Sequence, residues 1–169
     1  MVCILFLHGL ESKPGGSKSR YLGERYGAFS PALGCSSPLL PHMVDDALAV
    51  ARAAIAEHDP ALIVGSSFGG AITVRLLREG AFRGPVVLIA PAAHKITGDD
   101  ALPDGTRAVI FHGDLDDTVL HEDSVALAKT GGPGVELRTV VGGDHRLNVI
   151  LEDGRLAAAI DQLLAERAA

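Results

Sequence analysis

Tryptophan is absent from this chain, and aromatic residues make up only 4% of it. A core without large rings must be built from Ala, Val, Leu and Ile, which suits a parallel sheet covered by Ala-rich helices. Cysteine is scarce, with only Cys3 and Cys35 present. Two are too few for a disulfide framework. Both are expected to be small buried hydrophobes in a reducing, cytoplasmic compartment. No apolar run approaches the ~20 residues needed to span a bilayer. The apolar start, MVCILFLHGL, lacks a basic leader and a small-residue cleavage site, so it reads as a buried strand. Positive charge is also in deficit, with 15 Lys and Arg against 21 Asp and Glu and a net charge of -6. An acidic chain repels phosphate backbones, which argues against a nucleic-acid partner. Internal repeats and low-complexity linkers are missing too.

What is present is an apolar chain of one-domain size: 169 residues, 47% hydrophobic, expected to fold as a single domain over 1–169. Apolar runs of strand length alternate with helical patterns. Cys3 to Leu7, Ala61 to Ser66, Pro85 to Ala90, Arg107 to His112 and Val135 to Val141 each read as a buried strand. Ala32 to Ser36 is a weaker sixth. Helices are expected over Val44 to His58, after Pro41, over Phe68 to Glu79, stopped by Gly80, over Glu122 to Thr130, stopped by Gly131 and Gly132, and over Leu156 to Ala168. This alternation predicts an α/β fold: about six mostly parallel strands with helices on both faces. Glu11 to Ser19 is the most irregular segment. The fifteen-residue link from Pro91 to Gly105 is the largest candidate lid, too short for a cap domain. Short loops predict an open, shallow site.

The strongest chemical signal is Gly65-Ser66-Ser67-Phe68-Gly69-Gly70. It matches G-x-S-x-G, with a β-branched strand before it and a helix after it. A serine held on so sharp a turn needs small neighbours two residues away on each side. The turn exposes its hydroxyl above a helix N-terminus, which favours negative charge. Ser66 has the wrong offset from both glycines and is given no role. A hydroxyl needs a base to become a nucleophile, and seven histidines compete. His58 lies near a helix end, and His42, His94 and His121 lie in connections, where solvent exposure is the default. His8 and His112 end strands, near the site or packed beneath it. His145, in Gly142-Gly143-Asp144-His145, lies just beyond the last strand, where functional groups of α/β sheets collect. An acid must orient that base, and Asp114, Asp116 and Asp117 cluster after the Arg107 to His112 run in HGDLDDTV. Oxyanion donors are expected at the amide of Phe68 and in the His8-Gly9-Leu10 turn, at Leu10 or else Gly9. Lys13, Lys18 and Arg20 flank the adjoining glycine-rich loop. They are either solvated loop charges or cleft residues that attract anionic substrates such as acyl-CoA phosphates.

These residues resemble the α/β-hydrolases: HG after the first strand, GSSFGG, HGDLDDTV and GGDH in that order. Within that superfamily the chain resembles the YqiA-like small bacterial esterases. LHG is followed by Ser12, Pro14, Ser17 and Lys18, then come Pro-Leu-Leu-Pro at 38–41, GSS-x-GG and GG-x-H. The resemblance implies a minimal α/β-hydrolase without a cap domain. It implies the chain order nucleophile, acid, histidine, which His145 satisfies. The superfamily pattern HG-x-x-D-x-x-V selects Asp116 as the acid, with Val119 as its apolar anchor. That segment differs from the acid segment of the YqiA-like proteins. The implied activity is hydrolysis of small esters or acyl thioesters, with no metal and no cofactor, through a catalytic triad of Ser67, Asp116 and His145 and an oxyanion hole of Leu10 and Phe68. Three rivals stand beside it. His8, His112, Asp114 and Asp116 could gather around a metal, although no tight ligand spacing supports this. A binding protein could keep the scaffold without chemistry. The same machinery could cut a peptide bond.

Overall fold

Runs of Ile, Val, Leu and Phe cannot face water on either side of a sheet, and four of the five strong runs form strands buried throughout. The computed structural model describes residues 2–10 and 12–168. Its strands are β1 (Ile4–Leu7), β2 (Leu62–Ser66), β3 (Val86–Ile89), β4 (Ala108–Gly113) and β5 (Val135–Val140). They form one five-stranded, fully parallel sheet in the order β1-β2-β3-β4-β5. β5 is an edge strand, and its outer positions are polar, with Glu136 and Arg138 paired at 2.8 Å. Charges on an edge discourage pairing with other chains.

The helices are α1 (Ser17–Tyr26), α2 (Pro41–His58), α3 (Phe68–Arg78), α4 (Ala93–Thr97), α5 (His121–Ala128), α6 (Val149–Glu152) and α7 (Arg155–Ala168). Because strands advance in one direction across the sheet, right-handed crossovers put their helices on one face. That face holds Ala47, Ala51, Ile72 and Leu127 of α2, α3 and α5 against Leu5, Ile63, Leu88 and Ile110. The alternate strand residues, Phe6, Val64, Ile89 and Phe111, face the other way, under Leu22 of α1 and Ile160 and Leu163 of α7. Among the described residues no helix is long and apolar enough to cross a membrane.

Several local expectations are corrected. Ala32 to Ser36 is not a strand. Pro31 has no amide to donate, Gly34 sits at φ 68°, and the Leu33 amide donates to the His8 ring instead. Among the described residues only Phe29 pairs with the outer edge of β1, through Phe6 N–H to its carbonyl at 2.8 Å and its own N–H to Ile4 at 2.9 Å. The Glu11 to Ser19 segment ends inside a helix, α1, which stops at Gly27 in the left-handed conformation. Glu11 itself lies outside the described residues. α2 begins three residues early, with Pro41 at its first turn, where a missing amide costs nothing. The Pro91 to Gly105 link is no free lid. Buried Asp99 accepts Arg75 at 2.8 Å and Arg78 at 3.1 Å, tying the link to α3. Cys3 and Cys35 are half-buried free thiols rather than fully buried ones, and burial pushes the Cys35 thiol up.

Candidate active site

Ser67 stands between β2 and α3 with φ 51° and ψ −110°, a conformation L-residues rarely adopt. Such strain costs on the order of 1–3 kcal/mol and persists only where the surroundings enforce it. Here they do. The Ser67 amide donates to Ile89 at 2.9 Å, and its carbonyl accepts the amides of Ala71 and Ala92, both at 3.1 Å. The flanking glycines are sterically required. A Cβ on Gly69 would overlap the Leu7 carbonyl oxygen, and one on Gly65 would overlap the Thr73 hydroxyl. Gly70 packs on Pro91 with no room for a Cβ. The turn after β1 abuts this elbow, since a Cβ on Gly9 would lie 3.5 Å from that of Ser67.

His145 reaches Ser67 from the loop after β5. Its Nε2 lies 2.9 Å from Ser67 Oγ, and its Nδ1 lies 2.7 Å from Asp116 Oδ2. With Nδ1–H donating to the carboxylate, the Nε2 lone pair faces the hydroxyl proton. The three residues named from chain order and motif are thus brought together. The loops after β4 and β5 meet because Gly113 has no side chain: a Cβ there would overlap the Gly143 carbonyl. The Leu115 amide donates to that carbonyl at 3.1 Å.

Asp116 has no side-chain exposure. Its Oδ1 accepts the amides of Thr118 and Val119, both at 2.9 Å. Burial alone would push this carboxyl up. The Val119 amide, the His145 ring and the Thr118 amide overcome that and hold it below the usual carboxylate range. The other two acids have separate work. Asp114 accepts the Gly142 amide at 2.6 Å, bracing the turn ahead of His145, and exposed Asp117 accepts the Thr118 hydroxyl at 3.1 Å.

His112 is the residue whose part could not be read in advance. It is wholly buried, its Nδ1 accepts the Ser124 hydroxyl at 2.6 Å, and its Nε2–H points between the Val119 carbonyl at 3.0 Å and Asp116 Oδ2 at 3.1 Å. Burial pushes its pKa down, with the His121 and His145 rings adding to the effect, against the Val119 carbonyl and Asp116. A neutral ring therefore donates to the same carboxylate oxygen that accepts from His145. The sequence signals were its place at a strand end and the four-residue spacing to Asp116. His8 is also buried, accepting the Leu33 amide at 3.2 Å and donating to the Gly9 carbonyl at 2.8 Å. It shapes the turn that carries Leu10. His58 is half-buried against Phe29, and His121 holds Thr139 at 2.9 Å, while His42 and His94 are exposed as expected.

The residues weighed as metal ligands do not gather. His112 and Asp116 meet, but His8 and Asp114 are engaged elsewhere, and among the described residues no three His, Cys, Asp or Glu side chains converge as a ligand set. The amides of Leu10 and Phe68 donate no hydrogen bond among the described residues, and both residues line the cleft. That cleft measures about 980 Å³. It is at the upper end of ordinary ligand pockets and larger than short loops suggested, because Gly15 to Lys18, leading into α1, supply an extra wall.

A model of an uncharacterised protein family, UPF0227, matches residues 3–99, more than half of the chain. The chain belongs to that family. The match takes in β1 and the Ser67 elbow and stops before Asp116 and His145. No curated protein sequence matches the chain. The fold is that of the α/β-hydrolases. It is similar to α/β-hydrolase domain-containing protein 10 from mouse, with a TM-score of 0.79 at 16% identity over 97% of this chain and 90% of that one. Est1E from Butyrivibrio proteoclasticus gives a TM-score of 0.73 at 17% identity over 96% and 87%. An α/β serine hydrolase homologue from Coxiella burnetii gives 0.66 at 18% identity over 99% and 85%.

Proposed function

We propose that this UPF0227 member is a serine hydrolase that cleaves a small carboxylic ester or acyl thioester through an acyl-enzyme on Ser67. The observation that supports this best is the unbroken line Ser67 Oγ, His145 Nε2, His145 Nδ1, Asp116 Oδ2, with contacts of 2.9 and 2.7 Å. In this reading Ser67 attacks the substrate carbonyl carbon while His145 takes its proton. The tetrahedral oxyanion is received by the Leu10 and Phe68 amides. Collapse expels the alcohol or thiol, which collects the proton from His145. Water then adds to the acyl-enzyme with His145 again as base, releasing a carboxylic acid. Asp116 holds the ring in the required tautomer and offsets its charge when protonated. No step needs a metal or a cofactor. Among proteins of similar fold, Est1E binds ferulic acid, a carboxylic acid such as ester cleavage releases.

The test is a screen of acyl esters and thioesters of graded length, with Ser67→Ala as control and a parallel arm in EDTA. Turnover that resists EDTA and vanishes in Ser67→Ala is expected. Turnover that survives Ser67→Ala, or that EDTA abolishes, contradicts the proposal.

A further inference from the structure

Lys18 sits where α1 begins, on the wall of the cleft that holds Ser67. Its ammonium donates to the Arg146 carbonyl, the residue directly after His145, across 128 positions of sequence. That leaves two N–H donors without a protein acceptor among the described residues. No carboxylate of the described residues lies within ion-pair distance of it. Asp144, the acid among the described residues whose charge acts on it, spends Oδ1 on the Leu147 amide at 3.0 Å. The environment under-compensates the charge: burial, with a smaller push from Arg146, outweighs the opposing Asp144 and leaves the Lys18 pKa lowered to about 8. A tie to one carbonyl could be made by a neutral amide with no such cost. A partly desolvated, unpaired cation facing a cleft is an arrangement that a bound anion would complete.

The surrounding charge agrees. Lys13, Lys18, Lys95 and Arg146 line the cleft against Asp117 and Asp144, an excess of two positive charges among the described residues in a chain whose net charge is -6. Lys95 donates to the Thr118 carbonyl at 2.8 Å and keeps two donors as well, but it is exposed, so water already serves them and it adds only to the field. Arg20, the third cation of that segment, does not line the cleft. Charge concentrated inside a cleft selects and steers ligands of opposite sign.

We propose that Lys18, with Arg146 beside it, determines specificity by binding a carboxylate on the leaving-group side of the substrate. This rests on the Ser67 reading for the word substrate and not for the binding itself. The side follows from position: the Lys18 ammonium is held by the residue next to His145, and His145 is the group that protonates the departing atom. The charge class follows from number, because one ammonium with one flanking guanidinium balances a monoanion better than a phosphate dianion.

The experiment compares two ester pairs that differ only in charge near one end. 4-Acetoxybenzoate against 4-acetoxybenzamide puts the carboxylate on the leaving group. Mono-4-nitrophenyl glutarate against its primary amide, 4-nitrophenyl glutaramate, puts it on the acyl chain. Affinities are measured by ligand-observed NMR on Ser67→Ala protein, and kcat/KM on protein with Ser67 intact. The first pair is expected to show about a tenfold preference for the anion. Lys18→Gln, which keeps a donor for the Arg146 carbonyl without the charge, removes that preference, as does Lys18→Met, while Lys18→Arg retains part of it. Raising salt shrinks it, as screening requires. Equal affinity within the first pair, or a preference that Lys18→Gln leaves intact, overturns the proposal. So does an equal loss for charged and neutral esters, which makes Lys18 only a prop for the His145 loop. A preference confined to the glutarate pair overturns the leaving-group placement. A Lys18-dependent preference without turnover sinks the hydrolase reading and leaves the anion site standing.

Discussion

Both oxygens of Asp116 are occupied, Oδ1 by two backbone amides and Oδ2 by two imidazoles. An Asn at this position can still accept the amides through Oδ1, so the loop is expected to keep its shape. Its amide nitrogen cannot accept from His145 Nδ1–H, so the ring turns to the wrong tautomer. The equivalent change in a serine protease costs about 10⁴ in kcat, and Asp116→Asn is expected to lose activity on that order with its circular dichroism unchanged. Asp114→Asn keeps an acceptor for the Gly142 amide, and Asp117→Asn keeps one for the Thr118 hydroxyl. Both are expected to stay within about tenfold of the parent kcat on the scale of an ordinary exposed hydrogen bond. If Asp114→Asn is the most damaging of the three, the orienting role moves to Asp114.

His112 adds a pH signature to stability rather than to rate. Its folded pKa is depressed below 6.5, so between the two values the unfolded chain holds a proton that the folded chain refuses. The stability tied to this group is fully present above about pH 6.5 and is lost as pH falls toward the depressed folded value. Asp116 acts in a lower window: its contribution is present above 3.8 and is lost as pH falls through its depressed folded pKa. Thermal unfolding followed from pH 7.5 down to 5.5 should show a falling Tm. His112→Asn, which does not titrate, should flatten that fall. An equal slope in both proteins would remove His112 as its source.

At the scale of elements, the elbow and α1 make opposite demands on glycine. Gly69→Ala drives a methyl into the Leu7 carbonyl at the junction of β1 and α3. Backbone cannot yield as a side-chain tip can, so a loss of about 1–3 kcal/mol is expected. Gly23 lies in the interior of α1, and a methyl added there would meet nothing within 4 Å. Gly23→Ala is expected to stabilise the protein by about 0.5–1 kcal/mol, the ordinary helix gain. Urea denaturation of both variants checks the pair, and equal effects would contradict the packing described for the elbow. These elements also explain what could be read beforehand. The strands β1 to β5 and the long helices declared themselves through apolar runs and glycine stops, which are local. α1 did not, because its sequence SKSRYLGERY is polar and buries only Leu22. The false strand at Ala32 to Ser36 had the right residue types but lacked an amide at Pro31 and an extended backbone at Gly34.

At the scale of the whole molecule, the cleft is assembled from pieces far apart in sequence. Ser67 and His145 are separated by 78 positions, and His145 and Asp116 by 29. Their meeting was legible because a parallel sheet delivers every strand to the same end, and each residue stood just beyond a strand. The tie from Lys18 to Arg146 and the grip of His112 on Asp116 had no comparable signal, because each depends on side-chain reach across elements whose spacing only the folded chain sets. The central claim is that this assembly turns one ordinary hydroxyl into a nucleophile, and covalent labelling reports that directly. A fluorophosphonate is attacked at phosphorus by an activated serine, fluoride leaves, and the adduct stays on the oxygen. Peptide mass spectrometry of the labelled protein is expected to place one adduct on Ser67, with labelling abolished in Ser67→Ala and strongly slowed in Asp116→Asn. An adduct on Ser66, or labelling that persists in Ser67→Ala, would contradict the account.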